Sequence, residues 1–334
     1  MLVRRRTSVG VFIGAAISLT ALVLVIRWAG WADMLEALSS VRWPLFGMAV
    51  LVFLLSMLAR ALSWRSLLDD RYSLMRVLEV LNEGYLINHI LPWRLGEIGR
   101  AVLLAGSGKD SILRVLSSIL VERMYDLFFA LVLLVLLLPE ATGLEGITQN
   151  AAFIGGILTI AFTMLVIFVR RPGWMQWLIA RLPGPRARLL ALWEQMQTGL
   201  IALRDFRIFT RSLGWMLLSW LLAGIEYGLV LRAVIPDASL HWAFFMLPVT
   251  LLGGAIPSTP GYIGVYEAAG VLALSAFGVA ESEALATTLL LHGIVYILGS
   301  GFGLIALSRE GETISGLTHR LKAWRQMLRN SEVS

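Results

Sequence analysis

Long apolar runs separated by short arginine clusters dominate the chain, and their lengths decide its class. The runs at 9–26, 44–62, 116–138, 151–169, 212–231 and 284–307 approach the roughly 20 residues that a helix needs to cross a bilayer. Two further apolar stretches, 78–105 and 242–278, are each interrupted by Pro and Gly. A helix breaks where Pro removes a backbone donor and Gly permits conformations that other residues avoid. The pattern predicts an all-α polytopic membrane protein with about six full transmembrane helices and two re-entrant broken helices.

The two interruptions share one spacing. Pro92, Gly96, Ile98 and Gly99 stand as Pro257, Gly261, Ile263 and Gly264 do, a P-x-x-x-G-x-I-G pattern in both, and Pro260 reinforces the second. Helices are expected to restart at Gly96 and Gly261. Arg4 to Arg6 before the first run and Arg60, Arg65, Arg71 and Arg76 after the second fix the orientation, because basic loops stay on the inner side. The resulting map has a first span in 1–30, an interfacial aromatic loop at 27–42, and repeat 1 over 44–138 with an inner re-entrant element. A connecting span at 151–169 leads to an interfacial amphipathic segment at 170–211, broken at Pro183-Gly-Pro185. Repeat 2 over 212–307 carries an outer re-entrant element, and a basic amphipathic tail fills 308–334. Repeats of opposite orientation are a transporter architecture. The rival count makes each broken element a pair of full spans. Both termini are expected on the inner, cytoplasmic side of the membrane.

Composition sharpens this picture. Hydrophobic residues form 58% of the 334 and charged ones 15%, so the net charge of +6 reports membrane orientation and attraction to anionic lipid at the inner face rather than nucleic-acid binding. The chain has no cysteine, which excludes thiolate chemistry, and its four histidines lack metal-ligand spacing. No cofactor is implied, and self-association into a homo-oligomer stays open.

Charges within the apolar stretches carry the candidate chemistry, since an ionisable group at membrane depth persists only with a cavity or a partner. Arg94, Glu97 and Arg100 recur at three-residue spacing around the first break; Glu122, Arg123 and Asp126 open the following span; Glu226, Glu267 and His292 lie in repeat 2. Structural pairing of Arg100 with Glu97, and of Arg123 with Glu122 or Asp126, would fix helix packing. Helix starts at the breaks would instead present positive dipole ends to an anion such as phosphate, with Arg94, Arg100 and Arg123 as added donors. Glu97, Glu122, Asp126 and Glu267 would then receive a cationic headgroup or exchange protons.

Three pieces, Arg94-Leu-Gly-Glu97-Ile-Gly-Arg100, Glu122-Arg-Met-Tyr-Asp126 and Pro260-Gly-Tyr-Ile-Gly-Val-Tyr-Glu267, resemble in order and spacing the flippase-like transmembrane region of lysylphosphatidylglycerol synthase, the multiple peptide resistance factor. The resemblance covers roughly 10–307. It implies a polytopic inner-membrane protein that moves a lipid across the bilayer. The two-function relatives add a cytoplasmic aminoacyl-transfer domain, which this chain is not expected to carry, and no synthase activity is transferred from them.

Two functions from different classes follow. One is a translocator of a phosphate-containing lipid: a phospholipid, an aminoacyl-phospholipid or a polyprenyl-phosphate lipid. The other is a membrane-embedded transferase using a polyprenyl-phosphate sugar donor, for which Glu122 and Asp126 form the compact carboxylate pair. An accessory scaffold in lipid synthesis is the third reading.

Overall fold

The computed structural model describes residues 19–311 except 22, 28, 92–94, 107, 109, 143–154, 161, 165, 168–170, 182–188, 192, 195–199 and 257. The first span and the basic tail thus fall largely or wholly outside the described residues, as do Pro92, Arg94, Pro257 and the Pro183-Gly-Pro185 break. Among the described residues every regular element is helical. In order these are α1 (Trp31–Ser39), α2 (Trp43–Leu67), α3 (Leu74–Ile90), α4 (Gly96–Ala105), α5 (Ile112–Thr142), α6 (Pro172–Arg181), α7 (Phe206–Val234), α8 (Leu240–Gly253), α9 (Val265–Ser275), α10 (Glu281–Ile294) and α11 (Ser300–Arg309).

Three described helices are long and apolar enough to cross a membrane: Trp43–Leu67, Phe206–Val234 and the continuous Glu281–Arg309. They coincide with the runs at 44–62, 212–231 and 284–307, each extended at its ends. A helical turn of wider, π type at Val295–Gly299 joins α10 to α11. Large apolar side chains remain exposed along these helices, among them Leu51, Leu55, Leu221, Ile225, Ile297 and Leu304. In water such a surface would associate; in a bilayer it is the face that lipid tails cover.

Packing divides the chain into two compact units. One comprises residues 1–60, 124–164 and 214–296, and the other 61–123, 165–213 and 297–334. Each holds one broken-helix element. In the second unit α3 packs against α4 and α11; in the first, α8 packs against α9, α9 against α10, and α10 against α1. Both broken elements are therefore hairpins whose arms touch. The 27–42 stretch is not the loop expected: Trp31–Ser39 is helical, because its Ala, Leu, Met and Glu favour helix and Met34 supplies a buried anchor.

Local chemistry explains the first hairpin. Ser73 Oγ accepts from Arg76 N at 3.3 Å and caps α3. At the far end Leu91 is extended (φ −106, ψ 141), as a residue before proline must be, and the helix stops there. Gly96 and Gly99 then lie inside α4 in ordinary helical conformation, so their smallness serves packing. A Cβ on Gly96 would sit 2.6 Å from Asn88 Cγ and closer still to Gly84 O, while one on Gly99 would strike Ile87 Cδ1.

The second hairpin uses the same letters differently. Gly261 (φ 74) and Gly264 (φ 90) adopt the left-handed backbone that favours glycine, within a 3-10 turn at Pro260–Tyr262 and at the N-cap of α9. The helix consequently restarts at Val265, not at Gly261.

α6 accounts for part of the predicted amphipathic segment. It exposes Trp174, Trp177 and Leu178 and buries Ile179, and the Arg181 guanidinium lies 3.5 Å over the Trp177 ring.

Gly96→Ala forces a methyl group against backbone and should destabilise the protein by about 1–3 kcal/mol, lowering its melting temperature by several degrees. Gly47→Ala, where a Cβ meets nothing within 4 Å, should leave it unchanged or raise it. Thermal melts of the detergent-purified protein would contradict this packing role if Gly96→Ala melted with the wild type.

Candidate functional site

In the second unit two arginines converge on Glu122. Its side chain is fully buried on α5, and Arg100 reaches it from α4 with Nη2 to Oε2 at 2.6 Å and Nη1 to Oε1 at 3.3 Å. Arg123 Nη2 donates to the same Oε1 at 2.9 Å. Beneath them lies Trp64 of α2, whose ring sits 3.8 Å from the Arg100 guanidinium carbon and whose Nε1 donates to Ser118 Oγ at 3.0 Å. The aromatic face and the carboxylate together hold the Arg100 fork.

Two guanidinium groups share one carboxylate; Arg100 is buried, whereas the Arg123 side chain is 33% exposed. Arg100 does not pair with Glu97, its neighbour on the same helix. A bidentate fork needs a carboxylate facing it, and Glu122 on α5 supplies that geometry. Glu97 Oε2 is buried without a hydrogen-bond partner among the described residues.

The break is closed by Asn88, a polar residue on the arm leading to it that was given no role from sequence. Asn88 Oδ1 accepts from Gly96 N at 2.7 Å, so the first arm caps the start of the second. Farther along this unit His89 Nδ1 and Ser300 Oγ lie 2.7 Å apart, and Glu79 faces Arg309 at 3.6 Å and Arg76 at 3.9 Å.

In the first unit Asp126, one helical turn beyond Glu122 in sequence, has different partners. Arg60 grips it bidentately at 2.8 and 3.1 Å, and Trp220 Nε1 donates to Oδ1 at 3.1 Å. Arg60 was read as one of the arginines of an inner loop, yet it lies within α2. The signal was its place inside the 44–62 apolar run. Glu122 and Asp126, the carboxylate pair considered for a transferase, are thus each engaged by guanidinium groups.

Glu267 has partners of another kind. Its Oε2 accepts from Gly264 N at 2.6 Å, capping α9, and its Oε1 lies 2.6 Å from His292 Nδ1. The positive end of α9 therefore already faces a carboxylate of its own helix. Of the residues singled out from sequence, Arg100, Glu122 and Arg123 come together, Asp126 and Glu267 each join a separate cluster, and Arg94 lies outside the described residues. Trp64, Arg60, Trp220 and Asn88 complete the sites.

The profile of the family described as "Lysylphosphatidylglycerol synthase TM region" matches residues 11–303. A "UPF0104 membrane protein" of Methanothermobacter thermautotrophicus is 26% identical over 313 residues, covering 86% of this chain and 91% of that protein.

Removing one member of a buried ion pair leaves the other charge uncompensated and costs about 3–5 kcal/mol, while replacing both by apolar residues is close to neutral. Arg60→Leu alone should therefore lower the melting temperature strongly, and Arg60→Leu with Asp126→Leu should recover most of the loss. Equal destabilisation by the single and double variants would show that the pair does not act as a unit.

Proposed function

The chain belongs to the lysylphosphatidylglycerol synthase TM-region family, and on that premise we propose that this multi-pass membrane protein is a translocator of a phosphate-containing lipid. The observation that carries the reading is the Arg100–Glu122–Arg123 triad, two guanidinium groups gathered on one buried carboxylate among apolar helices. A phosphate group fits it by charge and by shape, because guanidinium forks donate in parallel to two oxygens. Glu122 holds both arginines in place in the absence of a headgroup and keeps each from standing as an isolated charge.

Two features lend further support. Paired broken-helix hairpins belong to the transporter repertoire. Exposed Trp174 and Trp177 on α6, which ends in Arg181 and follows Arg171, suit a membrane surface with anionic headgroups. Phospholipid, aminoacyl-phospholipid and polyprenyl-phosphate lipid share the phosphate that this chemistry would recognise.

The test is translocation in proteoliposomes, comparing fluorescent phosphate-bearing lipids with a diacylglycerol analogue. Wild type should move the phosphate lipids selectively. Loss of one charge-assisted contact is worth about 1.5–3 kcal/mol, so Arg123→Gln should slow them by about tenfold or more. Movement without headgroup preference, or an Arg123→Gln variant as fast as wild type, would overturn the reading.

A further inference from the structure

The first unit holds a second set of ionisable groups that the phosphate reading leaves unused. Four helices contribute: α7 gives Glu226 and Tyr227, α8 gives Thr250, α9 gives Tyr266 and Glu267, and α10 gives His292. Tyr227 Oη lies 3.0 Å from Thr250 Oγ1 and 2.7 Å from Tyr266 Oη. The Tyr266 ring lies against the His292 imidazole with centroids 4.5 Å apart, and Tyr296, within the π-type turn, meets that imidazole edge-on at 5.9 Å.

Proton counting fixes the direction of this chain. Thr250 has one hydroxyl hydrogen, and its Oγ1 lies 3.1 Å from Met246 O and 3.0 Å from Leu247 O, acceptors that only a donor can satisfy. Thr250 thus accepts from Tyr227, and Tyr227 in turn accepts from Tyr266. At the other end Glu267 accepts from both Gly264 N–H and His292 Nδ1–H.

Glu226 completes the set. It is 3% exposed, and its Oε1 has no hydrogen-bond partner among the described residues. It directly precedes Tyr227, whose Oη joins the hydroxyl chain. A purely structural polar network satisfies all its members, since an unpaired buried oxygen costs more than the bonds it neighbours return. Here a buried carboxylate oxygen is left open on α7, at the residue directly before Tyr227. The π-type turn that holds Tyr296 is a feature that recurs at functional sites.

The geometry points to a proton-binding site: we propose that Glu226, the buried carboxylate directly before Tyr227 on α7, takes up and releases the proton that drives lipid movement, an inference that rests on the translocator reading. Proton uptake converts the Glu226 carboxylate to a neutral carboxylic acid and removes the charge that Oε1 holds without a hydrogen-bond partner; release restores the carboxylate. No bond other than O–H is made or broken. Other charged groups on the packed helices stand elsewhere. Asp33 and Glu36 of α1 are exposed, Arg232 Nε donates to Ala238 O at 3.0 Å, and His241 Nδ1 lies 2.7 Å from Ser239 Oγ. Glu281 and Glu283 open α10, roughly two turns or more before His292.

Two measurements on the full-length chain test this. In detergent, infrared difference spectra between acidic and alkaline buffer should contain a carboxylic-acid band that Glu226→Gln abolishes and Tyr227→Phe or Tyr266→Phe displaces. In proteoliposomes an imposed pH gradient should shift the lipid distribution by about tenfold per pH unit at one proton per lipid. Glu226→Gln should lose that shift and Glu281→Gln should keep it. An unchanged band in Glu226→Gln, an equal gradient response in that variant, or a response to sodium in place of protons would overturn the proposal. The Glu226 band in a wild type that moves no lipid would support proton binding there and contradict the translocator reading.

Discussion

A charge in an apolar helix must find a partner, and that requirement organises this molecule. Isolated in hydrocarbon, an arginine or carboxylate costs several kcal/mol; paired, it fixes one helix against another at a single register. Arg100 can reach Glu122 only if α4 folds back from α3 towards α5, and the hairpin can fold back only because Gly84, Gly96 and Gly99 let the two arms touch. The sequence break, the close packing and the buried ion pair are three parts of one arrangement.

The two hairpins reach comparable shapes by different means. Asn88 caps the first restart from the opposite arm, and Glu267 caps the second from its own helix. In the first, glycines give room; in the second, they give backbone angles. This difference has a chemical consequence. Glu267 places negative charge where an anion would otherwise dock, so anion chemistry is better served by Arg100 and Arg123, and the second hairpin is left with hydroxyls, imidazole and carboxyls suited to protons.

Hydropathy made the membrane helices legible, because bilayer thickness sets their length and the run limits follow from it. The breaks were legible too, since Pro and Gly act through their own backbone chemistry. Partner choice was not. Arg100 could meet Glu97 by local spacing, and only the fold-back of α4 offers Glu122 instead. Arg60 looked like a loop residue because positive charge next to an apolar run usually is one; α2 simply continues to Leu67, and Asp126 waits beside it. Likewise Asn88, Tyr227 and Thr250 gain meaning only when residues distant in sequence approach, a relation that periodicity does not encode.

The central claim is that the arginine triad recognises a lipid phosphate. Native mass spectrometry of the purified wild-type protein, offered phosphatidic acid and diacylglycerol with identical acyl chains, tests it most directly. The account predicts retention of phosphatidic acid alone, weakening as ionic strength rises. Equal retention of the two lipids would contradict it.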